Sequence, residues 1–165
     1  MITAKGGALR LVAATDAHFL TLASGAAPQG FSLPEGGIDT PEVIHMLGDL
    51  ARSVRRDIDP AAWLIIDEGE VVGLCSITKV FAHPGVVEIG YGIASSRRGR
   101  GFATAAVAVL LDIIKADSRV RTVAAETAVA NSASQRVLEK NGFIRTGERT
   151  DAEDGPLSCW QAAVG

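Results

Sequence analysis

The chain has 165 residues, of which 47% are hydrophobic and 21% charged, and its formal net charge is -3. That length suits one well-buried domain and is short for two, and the composition is that of a packed globular protein, not a disordered one. A small negative net charge argues against a broad nucleic-acid footprint, which needs a basic face.

Residues 9–13 alternate weakly and read as a first strand, and Thr15-Asp16 then caps a helix running to about Ala23. The Gly- and Pro-rich stretch 25–39 reads as a loop. Thr40-Pro41-Glu42 places a cap, a first-position proline and an acid at the start of a second helix extending towards Arg52. Two β-branched apolar runs, 63–67 and 71–80, flank Glu68-Gly69-Glu70 and predict a hairpin, with the glycine able to take positive φ. A turn at 81–85 leads into a third antiparallel strand, 86–94.

Residues 101–116 are apolar almost all round, which predicts a helix packed deep against a sheet. Asp117-Ser118-Arg119 then leads to a strand at 120–127. Asn131 to Asn141 has helical spacing at Ala133, Val137 and Leu138, and Gly142-Phe143 supplies a glycine stop followed by an apolar contact. Two last strands, 143–149 and 157–164, flank the polar turn 150–156. The order β-α-α-β-β-β-α-β-α-β-β describes a single domain over 1–165.

Residues 1–20 contain Lys5, Arg10 and Asp16 without an unbroken apolar block, unlike a secretory leader. The longest apolar run, 105–111, falls far short of the roughly 20 residues that span a bilayer. The expected location is therefore cytoplasmic, with no membrane partner. Cys75 and Cys159 lack metal or redox spacing and read as small buried hydrophobes. His18, His45 and His83 are scattered, so no metal site is expected.

The chemically suggestive stretch is Ile93-Ala94-Ser95-Ser96-Arg97-Arg98-Gly99-Arg100-Gly101-Phe102-Ala103-Thr104. A strand ending in a glycine-rich turn that opens a helix aims backbone N-H groups and the positive helix end at one point, as a phosphate requires. Three arginines strengthen that field. A solvated basic turn between strand and helix is the equal alternative on composition alone. Gly99-x-Gly101-x-x-Thr104 also approximates a dinucleotide-binding G-x-G-x-x-G, with Glu126 imitating its ribose-binding acid. That match fails on context: the third glycine is missing, the preceding strand follows two hairpins, and only one βαβ crossover exists. No Gly-Lys-Ser/Thr follows to make a Walker A loop.

Arg98-Gly99-Arg100-Gly101-Phe102-Ala103 fits R-x-x-G-x-A, and about 30 residues later comes Asn131-Ser132-Ala133-Ser134-Gln135-Arg136-Val137-Leu138-Glu139-Lys140-Asn141-Gly142-Phe143. With Val87-Glu88-Ile89-Gly90-Tyr91-Gly92-Ile93 before them, these segments resemble the GNAT superfamily of N-acetyltransferases, in particular the branch that acetylates the N-termini of ribosomal proteins. The resemblance extends over nearly the whole chain. It implies an α/β (α+β) fold with a mixed, mostly antiparallel sheet of about seven strands flanked by about four helices. It also implies acetyl-CoA as cosubstrate and a primary amine as acceptor, either a protein N-terminus or a small molecule. A catalytically silent acyl-CoA-binding module of the same fold is the alternative.

By that resemblance, Ile93 and Ala94 match the strand end that bonds the pantetheine arm. Arg98, Gly99, Arg100, Gly101, Phe102, Ala103 and Thr104 match the pyrophosphate loop, and Asn131 and Ser134 match positions near the pantetheine and thiol. Asn131 is equally explained as a helix cap. Amine acetylation needs a base, an oxyanion donor and a proton for the thiolate. Glu88 is the expected base: strand parity puts it with Gly90 and Gly92 on one face, while Val87, Ile89, Tyr91 and Ile93 share the other. Tyr91 is therefore expected in the core. Many members carry a tyrosine where Leu138 stands; the resemblance to the ribosomal-protein branch implies instead that Ser134 lends a hydroxyl to the thiolate, with a plain helix-surface serine and a proton taken from water as the equal alternatives. The acceptor is expected to meet the 25–39 loop, the second helix and the 150–156 turn, where Asp39, Glu42, Asp151, Glu153 and Asp154 are acidic. Edge strands at the C-terminal pair allow either a monomer or a homodimer.

Overall fold

The computed structural model describes residues 2–3 and 9–165. Among these, the strands are β1 Ile2–Thr3, β2 Leu9–Ala13, β3 Ala62–Asp67, β4 Glu70–Val80, β5 Val86–Ile93, β6 Thr122–Ala128, β7 Ile144–Asp151 and β8 Gly155–Ala163. The α-helices are α1 Asp16–Ala23, α2 Pro41–Val54, α3 Phe102–Ile114 and α4 Ser132–Lys140. One eight-stranded sheet joins the strands in the order β1-β2-β3-β4-β5-β6-β8-β7. All seven expected strands are present. The addition is β1, two residues paired antiparallel with β2, too short to leave a pattern in the sequence.

Local chemistry sets the element ends. Thr15 Oγ1 accepts from the His18 backbone N-H at 3.1 Å and His18 Nδ1 accepts from the Thr15 N-H at 3.1 Å, a reciprocal cap with histidine in the usual glutamate place. Thr40 caps α2 with Pro41 behind it. The β3–β4 turn takes Glu68 as well as Gly69 into the left-handed region, at φ 47° and 81°, as a two-residue turn matching strand twist requires. At the end of α4, Gly142 has φ +81° and the Phe143 N-H reaches the Leu138 carbonyl at 3.0 Å. This is the expected Schellman stop. It brings Phe143 into the core beside the fully buried Leu138.

Helices cover the two sheet faces unequally. Val43 and Leu47 of α2 stand over Leu74, Ser76 and Gly90 on one face. On the other, α3 packs on β2, β4, β5 and α4. As its apolar sequence predicts, α3 packs deep against the sheet, with one side left open. Ala106, Val107, Val109, Leu110 and Ile114 are buried, whereas Ala108 and Asp112 meet solvent. The loop before α2 is tied to the β3–β4 turn by two backbone bonds of 2.9 Å at Ser32, to Gly69 and from Val71.

At one point the β4 and β5 backbones leave no room for a side chain. Gly73 lies opposite Ile93, and a Cβ there would stand 2.2 Å from the Gly92 carbonyl oxygen. Gly73→Ala must therefore push the two strands apart, at a cost of about 1–3 kcal/mol for overpacking. In a domain of this size that lowers Tm by about 2–4 °C per kcal/mol. Thermal unfolding followed by circular dichroism checks it; an unchanged Tm contradicts the packing described.

Candidate active site

The site begins with a strand pairing that stops early. β5 pairs with β4 along its length, but its parallel pairing with β6 covers only Val86, Val87 and Glu88. Beyond Glu88 the two strands diverge. The Ala94 N-H donates to the Val72 carbonyl at 2.8 Å, and Gly92 faces Leu74 in the same register. Because antiparallel bonding alternates along a strand, the even positions use their backbone groups on β4. Tyr91 and Ile93 therefore aim theirs into the gap left by β6. There the Ile93 carbonyl accepts from Arg98 Nε at 3.2 Å.

The chain leaves β5 through a single 3-10 turn, Ser95–Arg97, and enters α3 through two left-handed glycines, Gly99 at φ +78° and Gly101 at φ +80°. Gly101 is the helix cap and has no side chain to offer. The first intrahelical bond at this end runs from the Ala105 N-H to the Gly101 carbonyl at 3.1 Å. The N-H groups of Phe102, Ala103 and Thr104 thus point out of the helix end without an intrahelical acceptor. They open on a cleft of about 620 Å³ between β5, the loop, α3 and α4, within the usual range for small-molecule sites.

Of the residues singled out from sequence, Ile93, Arg98, Gly99, Gly101, Phe102, Ala103, Thr104, Asn131 and Ser134 line this cleft. Three do not. Arg100 is exposed on the outer side of the loop, and Ala94 is fully buried with its N-H spent on Val72. Glu88 lies on the opposite sheet face. Arg97 lines the cleft, but its guanidinium is held by Glu70 through bonds of 2.6 and 3.1 Å, so it ties the loop to β4. Asn131 caps α4, its Oδ1 accepting from the Ser134 N-H at 3.0 Å, and it faces the cleft as well. Arg136 and Lys140, one turn apart on α4, also line the cleft. Their i,i+4 spacing is the signal that the sequence offers for them.

A second cavity, of about 300 Å³, lies across β5 under α2 and shares Tyr91, Gly92, Ile93 and Arg98 with the first. Ile38, Val43, Leu47 and Leu74 give it apolar walls, with Asp39, Thr78 and the buried Ser76 among its polar members. The segment before α2 and α2 itself line this cavity, and residues 150–156 do not. Asp151 is instead occupied locally, its carboxylate accepting from the backbone N-H groups of Glu153 and Asp154 at 3.0 and 2.9 Å.

Gly90 and Gly92 belong to this second cavity, and Glu88 stands one step beyond its wall. A bulge in β4 carries Thr78 next to Glu88, with the hydroxyl 3.3 Å from a carboxylate oxygen, and Lys79 Nζ lies 3.8 Å from the same oxygen. Burial pushes the Glu88 carboxyl above its ordinary value, opposed by Lys79 and helped by the nearby Glu126 carboxylate. Glu126 is itself held low by the Arg149 guanidinium.

The Leu138 side chain is fully buried and presents nothing to the cleft. Tyr91 corrects its expected placement. The ring packs against the core, but the hydroxyl emerges in the cleft, 2.7 Å from Ser134 Oγ. Parity places the residue on the right face; it does not show that α4 leaves that part of the face open.

Comparison with known proteins places this geometry. The family described as Acetyltransferase (GNAT) domain matches residues 8–144. The uncharacterized N-acetyltransferase p20 of Bacillus licheniformis is 27% identical over 112 residues, 68% of this chain and 62% of that protein. The ribosomal-protein-serine acetyltransferase of Escherichia coli K12 is 29% identical over 91 residues, 55% of this chain and 51% of that protein. The chain thus spans 51 to 62% of the length of these two relatives. The structure of Mycobacterium smegmatis RimJ in complex with CoA-disulfide superposes with a TM-score of 0.70 at 21% identity, covering 98% of this chain and 84% of that one. The family match extends from β2 through α4, so the chain belongs to the GNAT acetyltransferase family.

Proposed function

We propose that the chain is an acetyl-CoA-dependent N-acetyltransferase of one domain, transferring acetyl to a primary amine by direct attack within a ternary complex. The observation that carries this reading is the gap beside Tyr91 and Ile93, which joins a cleft shaped for CoA to a cavity on the acceptor side. The outward N-H groups of Phe102, Ala103 and Thr104 suit a pyrophosphate, and Arg98 supplies charge. Arg136 and Lys140 extend that positive field along α4. The pantetheine arm extends β5's unfilled edge by pairing with Ile93, and a strand-edge N-H there receives the oxyanion.

On the other side, the amine approaches through the cavity under α2. Glu88 removes its proton through a bridging water, since the carboxylate stands one step outside the wall. The acceptor is a protein N-terminus or a small primary amine; the ribosomal-protein-serine acetyltransferase among the relatives favours the first. The continuous sheet from Ile2 to Ala163 supports the single-domain reading. Free-thiol release with acetyl-CoA and a panel of peptides and small amines tests the function directly. CoA binding with no turnover on any amine identifies a silent acyl-CoA-binding module instead.

Two variant series follow from these roles. A base acts only when ionised, and the Glu88 pKa lies above the ordinary carboxylate value, so activity falls as pH drops through that raised value. Glu88→Gln should leave CoA affinity intact, lower kcat by about 10²–10⁴-fold and remove the acidic limb of the pH-rate profile. Near-wild-type turnover excludes Glu88 as base. In the loop, Gly101→Ala meets no atom but forces a side chain into the left-handed region, costing about 1–2 kcal/mol. CoA affinity by calorimetry should fall about tenfold. Arg98→Ala should raise the acetyl-CoA KM with a smaller change in kcat, and Arg100→Ala should do little. An Arg100 effect larger than that of Gly101 contradicts a loop that binds through its backbone.

A further inference from the structure

Building on the acetyl-transfer reading, in which the family resemblance has Ser134 lend its hydroxyl to the CoA sulfur, we propose that Tyr91 stands behind Ser134 in a relay, positioning that hydroxyl and resupplying its proton. Tyr91 projects from β5 and Ser134 from the first turn of α4, on opposite walls of the cleft, yet their oxygens lie 2.7 Å apart. The Tyr91 hydroxyl is also 3.3 Å from the Ser134 carbonyl. Asn131 fixes that turn by accepting the Ser134 N-H. Tyr91 lines both cavities, so the pair stands where the cofactor cleft and the acceptor cavity meet. That junction is where a thioester must lie to be reached from the acceptor side.

In the transfer step, the amine nitrogen forms a bond to the acetyl carbon, and its surplus proton leaves towards Glu88. As the tetrahedral adduct collapses, the C-S bond breaks and its electron pair stays on sulfur. Ser134 Oγ-H donates to that sulfur while the Tyr91 phenol proton passes to Ser134 Oγ. The phenolate recovers a proton from solvent in the open cleft, giving amide and CoA thiol. Ser134 touches the sulfur; Tyr91 acts through it and is a positioning and proton-supplying residue.

The charged groups around the pair suit a developing thiolate. Arg97 and Arg98 of the loop and Arg136 and Lys140 of α4 line the cleft that holds it, and Asp39 lines the adjoining cavity. Arg97 is engaged by Glu70, leaving Arg98, Arg136 and Lys140 as the cations of the cleft. Burial pushes the Tyr91 phenol above its ordinary value, so it stays a donor through the range in which a thiol ionises.

Calorimetry with CoA and with desulfo-CoA, which lacks only the sulfur, isolates the sulfur contact. From about pH 7 to about pH 9.5, across thiol ionisation, wild-type affinity for CoA should rise while affinity for desulfo-CoA does not share the rise. Tyr91→Phe and Ser134→Ala should each lose about tenfold in CoA affinity at the upper pH, the scale of a hydrogen bond to a charged group. Each should flatten the CoA pH dependence and leave desulfo-CoA affinity unchanged. The double variant should be little worse than either single one, because the two hydroxyls act as a unit. Wild-type CoA affinity and pH dependence in both single variants overturns the relay, as does equal loss for CoA and desulfo-CoA, which marks only a wall. Should Tyr91→Phe fail to fold, Ser134→Ala carries the same comparison. If wild-type protein binds neither ligand, the acetyl-transfer reading falls with the relay; if it binds both equally at every pH, the relay alone falls.

Discussion

Everything that gives this molecule a site depends on the parting of β5 and β6 after three paired residues. A strand in the middle of a sheet normally spends its N-H and C=O groups on both neighbours. Here β5 keeps β4 on one side and loses β6 on the other, at the point where its sequence turns to Gly90-Tyr91-Gly92-Ile93. Unspent strand edge inside a fold is costly unless something pairs with it. An extended arm carrying amide groups repairs the ladder, and the cleft that admits such an arm ends at the open N-terminus of α3. The cavities on the two sheet faces share Tyr91, Gly92, Ile93 and Arg98 there, so Ser134 on α4 and Ser76 on β4 stand on either side of one strand segment.

Charge is divided across that segment. The α3–α4 side holds Arg98, Arg136 and Lys140 around backbone donors, an environment for anions. The α2 side holds Asp39, with Glu88 and Glu126 behind it on the sheet. Glu126 is neutralised by Arg149, whereas Glu88 has only Lys79 at 3.8 Å and a threonine hydroxyl. Of the two carboxylates, Glu88 is therefore the less strongly paired. The loop between the halves is fixed by Arg97 on Glu70 and by Ser96 Oγ on the Glu35 carbonyl at 2.9 Å. Its arginines consequently have unlike tasks: Arg97 braces, Arg98 reaches the cleft and Arg100 faces solvent.

Much of this architecture is legible in the amino-acid sequence. Caps at Thr15 and Thr40, the glycine at the end of α4 and the β-branched apolar runs of β3 and β4 are local signals, and they place the elements correctly. The resemblance at Arg98–Gly101 and Asn131–Phe143 locates the cleft because those residues line or shape it. What the sequence withholds is tertiary. Strand parity puts Tyr91 on the α3–α4 face but does not show its hydroxyl meeting Ser134, since that depends on how far α4 stands from β5. Arg97, Arg98 and Arg100 look alike as letters, and only tertiary partners separate them, Glu70 for Arg97 and the Ile93 carbonyl for Arg98. Parity also puts Glu88 on the right face, yet the bulge at Thr78 that sets it outside the cavity wall leaves no mark in the β4 sequence.

A crystal structure of the protein with CoA tests the central claim most directly. The pyrophosphate should rest against the N-H groups of Phe102, Ala103 and Thr104, the pantetheine arm should run along Tyr91 and Ile93 in the gap beside β6, and the sulfur should lie at the Ser134 hydroxyl. CoA seated elsewhere, such as the groove between Trp63 and Val120 at the far end of α3, with the β5–β6 gap empty, would contradict the account.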